Sequence, residues 1–476
     1  MARCGRVFLR IICVLVLLAA SVPAFAYSLL THEQIIDLTW DDSIVPLLLS
    51  RYPGLTQAQL DEARAYAYGG CVIQDIGYYP FGQASLSNLT HYVRTGDFVV
   101  ALFRNAHNAD ELAFAVGALS HYVGDSIGHP LATNLGVPIA FPDLQAKYGH
   151  SVNYAEGKVQ HVEVEFAFDV DEDAHGRTAP LNYLRKIGMS VSEKQLALAY
   201  YQTYGLSADF SGTRKRRVNE DAYRFAVRSL VPHVADAVGI LHKNHMTAEV
   251  DTPEGRELQG EINTLAVTNN WAAYRHSPGF GTHLLAGFIF IMPRFGAFRM
   301  CAIKGPNPKA EADYVHSVVL SVAAMRQMLT RFTPPDKRRA PAAANQPGGD
   351  LGGASKEVAT SGRATAVSQT RVDPHHPLQN RDLDTGDVVK PGGYSLTDST
   401  YAYLLHTLTS QPKVPIPQGI KDDLQAYYVD LDAPITTKKH PEQWKQVLAD
   451  LQTLKDMPTS PFPEPYPTYD ETAGQE

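Results

Sequence analysis

The run His121-Tyr122-Val123-Gly124-Asp125-Ser126-Ile127-Gly128-His129-Pro130 places two imidazoles and a carboxylate at intervals of four. At 100° per residue, positions i, i+4 and i+8 fall within about 80° of one another. A helix over this run therefore projects His121, Asp125 and His129 from one face, a donor set that suits zinc. Pro130 stands just past the last donor, where a helix can stop or bend. A second unit, His161-Val162-Glu163-Val164-Glu165, reads two ways. As a helix it puts His161 and Glu165 on a shared face and leaves Glu163 solvated; as a strand it aligns all three. Asp75 lies between Gly69-Gly70 and the Gly77 to Pro80 punctuation, on a constrained turn. A carboxylate there is a cap or a ligand, and its immediate context alone favours the cap. His91 and His32 are single imidazoles that gain meaning only beside the others.

Taken together, dispersed histidines and carboxylates without cysteine match the ligand demands of several zinc ions. A cluster of two or three divalent ions lowers the pKa of a bound water and clamps the oxygens of a phosphoryl group during in-line displacement. Cleaving a phosphoester needs that clamp, because negative charge builds on those oxygens. The residue set thus points to metal-assisted hydrolysis, with Zn2+ as cofactor in two or three copies.

The rest of the chain bounds this reading. Among 476 residues, 42 Lys and Arg stand against 50 Asp and Glu, for a net charge of -8. No basic excess exists to hold a nucleic-acid backbone, so no stable nucleic-acid partner is expected. Four cysteines are too few for a disulfide framework or a thiolate-rich metal site. Arg3, Arg6 and Arg10, the apolar Ile11–Ala20 and the small-x-small Ala24-Phe25-Ala26 form a secretory signal peptide over residues 1–26. Cleavage after Ala26 makes Tyr27 the first mature residue, removes Cys4 and Cys13, and sends the protein to a secreted or periplasmic location. Cys71 and Cys301 remain, and Cys71 reads as a small buried residue. The apolar run His283 to Met292 is too short to span a bilayer and is closed by Pro293 and Arg294. It reads as a core helix, with transient contact with a membrane surface as the other reading.

The elements that must position the site are helical. Residues 27–332 form one helical domain, with candidate helices at Asp61–Tyr68 (ended by Gly69-Gly70), Asp110–Val123, Val218–His245 and Asp313–Phe332. Residues 333–393 are rich in Pro, Gly, Ala and Ser and read as a flexible linker. Residues 394–459 carry helical signals at Asp398–Ser410, Ile420–Asp430 and Glu442–Met457, too few for an independent core, so they are expected to dock back. Residues 460–476 are a Pro-rich tail. His375 and His376 in the linker read as solvated, His276 and His283 as flanking a surface loop, and His150 as a possible neighbour of the ligands.

Gln74-Asp75-Ile76-Gly77-Tyr78, His91, the run Leu119 to Pro130 and His161 to Glu165, in this order, resemble the zinc-dependent phospholipase C family. The resemblance covers about residues 27–170, and the His-x-x-x-Asp-x-x-x-His-Pro run is its most specific part. It implies an all-α fold, zinc ions in a cleft, and hydrolysis of a phospholipid head-group ester or another phosphoester. By matching motifs it implies Asp75, His91, His121 and Asp125 as one zinc site, and His129, His161 and Glu165 as a second. His32, with the free amine and carbonyl of Tyr27, would form part of a third, with Asp125 bridging. The family has Trp where this chain has Tyr27, and the Asp125 to His129 spacing is shorter than in its well-known secreted members. Asp75 carries over as a candidate general base as well as a ligand. More distant relatives are the zinc-dependent single-strand nucleases of fungi. A nuclease or nucleotidase, with Tyr78, Tyr79 and Tyr122 near the motifs, is therefore one alternative. A secreted zinc-binding protein without turnover is another.

Overall fold

The computed structural model describes residues 29–79, 82–208, 210, 252–275, 305–332, 376–432 and 440–461. Over these residues the protein is all-α, as the sequence suggests. The helices that matter below are α1 (Leu29–Thr39), α2 (Gln57–Gly70), α3 (Ala84–Tyr92), α4 (Thr95–Arg104), α5 (Ala109–Gly128) and α6 (Tyr154–Ala174). They are followed by α7 (Glu193–Tyr204), α8 (Pro308–Phe332), α9 (Ser395–Thr409), α10 (Gln418–Tyr427) and α11 (Pro441–Asp456). The β-structure described is a two-residue parallel pairing of Ile416–Pro417 with Thr459–Ser460, plus an isolated bridge between Arg381 and Val388. The signal peptide, Tyr27, the Val218–His245 helix, His276, the His283–Met292 run, Cys301, His375 and nearly all of the tail lie outside the described residues. No described helix is long and apolar enough to cross a membrane.

Helix α5 is the centre of the molecule and packs against α1, α2, α4 and α8. It starts on Asn108, whose side chain accepts the Glu111 N–H at 2.9 Å, with Asp110 and Glu111 in the first turn. From Leu112 to Gly128 every residue is buried. Fully burying side chains such as Phe114, Leu119 and Val123 contributes about 1.5–3 kcal/mol each. Small residues let neighbouring backbones come close. A Cβ on Gly70 would lie 2.1 Å from the Phe114 carbonyl oxygen, and one on Gly117 would lie 2.2 Å from that of Ala67. Gly69 and Gly70 therefore extend α2 rather than ending it: Gly70 with Gly117 permits the α2–α5 crossing, Gly69 faces the Ser190 backbone, and the chain turns only at Cys71. That crossing sets the following turn, Ile73–Gly77, against the ligand face of α5.

The C-terminal helices dock back on the first domain, with α9 on α3. Part of the segment assigned to a flexible linker is also packed. Residues 376–393 lie along the α3–α4 junction, with Arg381, Asp382, Leu383 and Asp384 buried. Thr95 Oγ1 donates to the Arg381 carbonyl and accepts from the Arg381 N–H, and the Tyr122 hydroxyl donates to the Gln379 carbonyl. His376 is only partly solvated: about a third of its side chain is exposed, and its Nδ1 pairs with Asp97 Oδ1 at 2.8 Å. The same Asp97 pairs with Arg94, whose Nε also stands 3.6 Å from Asp423 Oδ2 on α10. A stretch with little apolar surface is ordered here by polar pairing to another part of the chain.

Candidate metal centre

Each candidate ligand is held by a local feature of its element. His121 and Asp125 lie one turn apart on α5, as the spacing requires. Past Gly128 the chain widens into a π-helical turn, His129–Thr133, which accommodates Pro130 while the His129 N–H still bonds the Asp125 carbonyl. Helix α6 starts in a capping box between Asn153 and Glu156. His161 and Glu165 share one of its faces, so the helical reading holds and the strand reading does not. Glu163 is buried rather than solvated, because α6 is enclosed on every side from His161 to Glu172. His32 sits in the first turns of α1. Asp169, one turn beyond Glu165 on α6, accepts the Leu30 and Thr31 N–H groups at 2.9 and 3.1 Å. His91 lies near the end of α3, and Asp75 lies in the turn after α2.

These side chains converge. Asp125 is at the centre: its Oδ1 is 3.3 Å from His32 Nε2 and 3.7 Å from His129 Nε2, and its Oδ2 is 3.1 Å from His121 Nε2 and 3.4 Å from His91 Nε2. Asp75 Oδ1 is 3.2 Å from His91 Nε2 and 4.0 Å from His121 Nε2. Asp75 thus faces the cluster rather than capping its own turn. Glu165 Oε1 lies 2.9 Å from His161 Nε2 and 3.1 Å from His129 Nε2. All eight side chains are buried. His150 is exposed and stays with Gln145, away from this set.

The donors fall into three sets whose ligand atoms lie within 4.8 Å of one another: Asp75, His91 and His121; His32, His121 and Asp125; His129, His161 and Glu165. The tautomers show what they are built for. His91 Nδ1 donates to the Ser87 carbonyl at 2.7 Å, and His121 Nδ1 to that of Cys71 at 2.9 Å. The proton of each neutral ring is therefore spent on backbone, and the two Nε2 lone pairs face each other at 3.4 Å beside two carboxylates. Both oxygens of Asp125 and of Glu165 are buried without a hydrogen bond. Among the described residues, the charge partners of Asp75, Asp125 and Glu165 are imidazoles alone. Converging lone pairs and buried carboxylates are costly unless a cation sits between them, so the residues fit a metal.

Protons take the cation's place in its absence. Burial works against a charged His91, but the Asp125 and Asp75 carboxylates that face its Nε2 outweigh it and lift its imidazole to about 10. His129 is likewise raised against burial, chiefly by the charge of Asp125. Burial pushes Asp125 up, yet His121 and His129 hold it well below the usual carboxylate range. His32 goes the other way, lowered by burial and then by His121. A metal entering here displaces protons, so its affinity falls on acidification.

Residues 31–209 match the family described as zinc dependent phospholipase C. This segment belongs to that family. No curated protein and no solved structure matches the chain. The family segment contains every candidate ligand from His32 to Glu165, and its zinc dependence agrees with the donor chemistry.

Two residues at the centre escape a motif reading. Asp169 continues the His161, Glu165 stripe by another four positions, a signal present in the spacing. It serves to hold the start of α1, and with it His32, against α6. Asp384 belongs to the Arg381-Asp382-Leu383-Asp384-Thr385-Gly386-Asp387 stretch, whose acidic alternation is hidden inside a linker-like composition. Its Oδ1 stands 3.6 Å from His129 Nδ1.

Proposed function

We propose that the protein is an exported zinc-dependent hydrolase that cleaves a phosphoester bond, with phospholipase C-type release of a phosphorylated head group from phospholipid as its reaction. The observation that carries this reading is the convergence of Asp75, His91, His121, Asp125, His129, His161, Glu165 and His32 around the Asp125 carboxylate. Zinc, when bound, supplies Lewis acidity that lowers the pKa of water and draws in phosphoryl oxygens. The chain's own residues do the rest. His91 and His121 hold their Nε2 lone pairs inward through their carbonyl partners. Asp125 joins the two halves of the centre by facing histidines with both oxygens. Asp75 Oδ1, buried and without a hydrogen bond, is placed to orient a water molecule and accept its proton.

The geometry also bears on the number of ions. His121 offers one inward lone pair, so it cannot serve both donor sets that contain it. The Asp75, His91, His121 set and the His129, His161, Glu165 set are then complete independently. A third ion would rest on His32 and Asp125 with donors from outside the described residues, such as the amine and carbonyl of Tyr27 after signal cleavage near Ala26. Export would place the enzyme in a secreted or periplasmic location, where it would touch a membrane surface transiently.

The reading is tested by stripping the full-length mature protein with a chelator and restoring it with zinc, while following release of phosphocholine from phosphatidylcholine vesicles. Loss on stripping and recovery on addition are expected; full activity in the stripped protein would contradict the proposal. The nuclease reading draws on Tyr78 and Tyr154, whose rings lie 5.3 Å from the His91 ring and 5.4 Å from the His161 ring. Hydrolysis of single-stranded DNA in place of phospholipid by the same preparation would favour it.

A further inference from the structure

Asp384 lies far outside the family segment, yet it is built into the back of a candidate ligand. Its Oδ2 accepts hydrogen bonds from the hydroxyls of Tyr92 at 3.0 Å and Tyr394 at 2.7 Å. Its carbonyl accepts from Asn134 Nδ2 at 2.7 Å, and the Leu383 N–H donates to the His91 carbonyl at 3.1 Å. Asp382 Oδ1 closes the turn by accepting the Asp384 and Thr385 N–H groups, both at 3.1 Å. The turn also needs Gly386: its φ is +71°, and a Cβ there would lie 2.3 Å from the Ser126 carbonyl oxygen. Asp384 is thus fixed from several directions, and its remaining oxygen, Oδ1, faces His129 Nδ1 at 3.6 Å.

The tautomer argument applies to His129 as it does to His91 and His121. Its Nε2 faces Glu165 and Asp125. For that lone pair to meet a metal, the ring proton must sit on Nδ1, and Asp384 Oδ1 is the acceptor it faces. At 3.6 Å the pair is a charge contact longer than a hydrogen bond, with the carboxylate oxygen beside the nitrogen that must carry the proton. His91 and His121 have backbone carbonyls in this role, whereas a carboxylate is the stronger acceptor and makes the ring a better donor to the metal. We infer that Asp384, delivered by the C-terminal part of the chain, is a positioning residue for the His129, His161, Glu165 zinc site. The centre in the family segment is then completed by residues 376–394. This inference rests on the zinc reading proposed above.

The test is competitive chelator titration of the full-length protein, with His129→Ala marking the class of zinc held by this set. In Asp384→Asn that class is expected to weaken about 10–100-fold, while the class that depends on His91 keeps its wild-type affinity. A merely structural defect would not weaken one class alone. Tyr394→Phe leaves the carboxylate in place but loosens it, and a smaller loss in the same class is expected. Wild-type affinity in Asp384→Asn, or equal loss in both classes, overturns the inference. If circular dichroism shows that Asp384→Asn does not fold, unchanged affinity in Tyr394→Phe overturns it. A wild-type protein that binds no zinc overturns this inference and the proposed function together, whereas zinc binding that is indifferent to both variants overturns this inference alone.

Discussion

Helix α6 serves two clusters of the same residue types, and they differ in what stands between the carboxylates. Toward its middle, His161 and Glu165 face His129, and Asp125 lies beyond, with imidazole nitrogens as the charge partners. Toward its end, Asp171, the His175 that caps the helix, and Glu311 of α8 also bring donor atoms within 4.8 Å of one another. There Arg177 already supplies the cation, 3.1 Å from Glu172 Oε1, 3.1 Å from Glu311 Oε1 and 3.6 Å from Asp171 Oδ2. Glu172 further accepts from Gln34 at 2.8 Å, which ties α6 to α1. The His175 Nδ1–H is donated to the Asp171 carbonyl at 2.9 Å. The second cluster neutralises itself and holds helices together; the first leaves lone pairs converging on a space that only a cation satisfies. Donor count alone does not separate a metal site from a structural network; the presence of an internal guanidinium does.

Breaking the first cluster should have the largest effect on activity. His121→Ala removes the imidazole common to two donor sets, and phosphoester hydrolysis is expected to fall by a factor on the order of 10³ or more, with helix content retained. A vesicle assay beside circular dichroism checks this. The second cluster should behave in the opposite way. Arg177→Met leaves buried carboxylates without their cation and is expected to cost about 3–5 kcal/mol in denaturant unfolding, with the zinc content of the first cluster unchanged. Added divalent cation should recover part of that loss, because removing the guanidinium makes this cluster resemble the first.

The smallest effect concerns His175. The Asp171 carboxylate, 3.4 Å from its Nδ1, raises its imidazole to about 9, against the opposing pull of burial. A folded-state pKa above the unfolded value means stability that is fully present below about 6.5 and lost as pH rises toward 9. The residue is partly exposed, so the span is about 1 kcal/mol after screening. His175→Gln should flatten the unfolding free energy across that pH window while leaving zinc binding as in the wild type.

What the sequence discloses follows from how local each constraint is. His121, Asp125 and His129, and His161 with Glu165, are legible because a helix converts intervals of four into a shared face. Asp75 is ambiguous in sequence, since its direction depends on a glycine-mediated crossing of α2 over α5 that no local pattern encodes. Glu163 is misplaced by the helical pattern, because α6 is enclosed on all sides rather than amphipathic. Asp384 is hidden for a different reason. Its stretch lacks apolar periodicity and orders itself through Tyr92, Thr95, Asp97 and Tyr122, partners far away in the chain. The same long-range pairing turns residues 376–393 from an expected linker into part of the centre's support.

Crystallography of the full-length mature protein with anomalous scattering at the zinc edge addresses the central claim most directly. The account expects peaks at coordination distance, about 2.0–2.1 Å, from the inward nitrogens of His91 and His121 and from those of His129 and His161, with none at Asp171, His175 and Glu311. An empty cluster around Asp125, or a peak beside Arg177 instead, would contradict it.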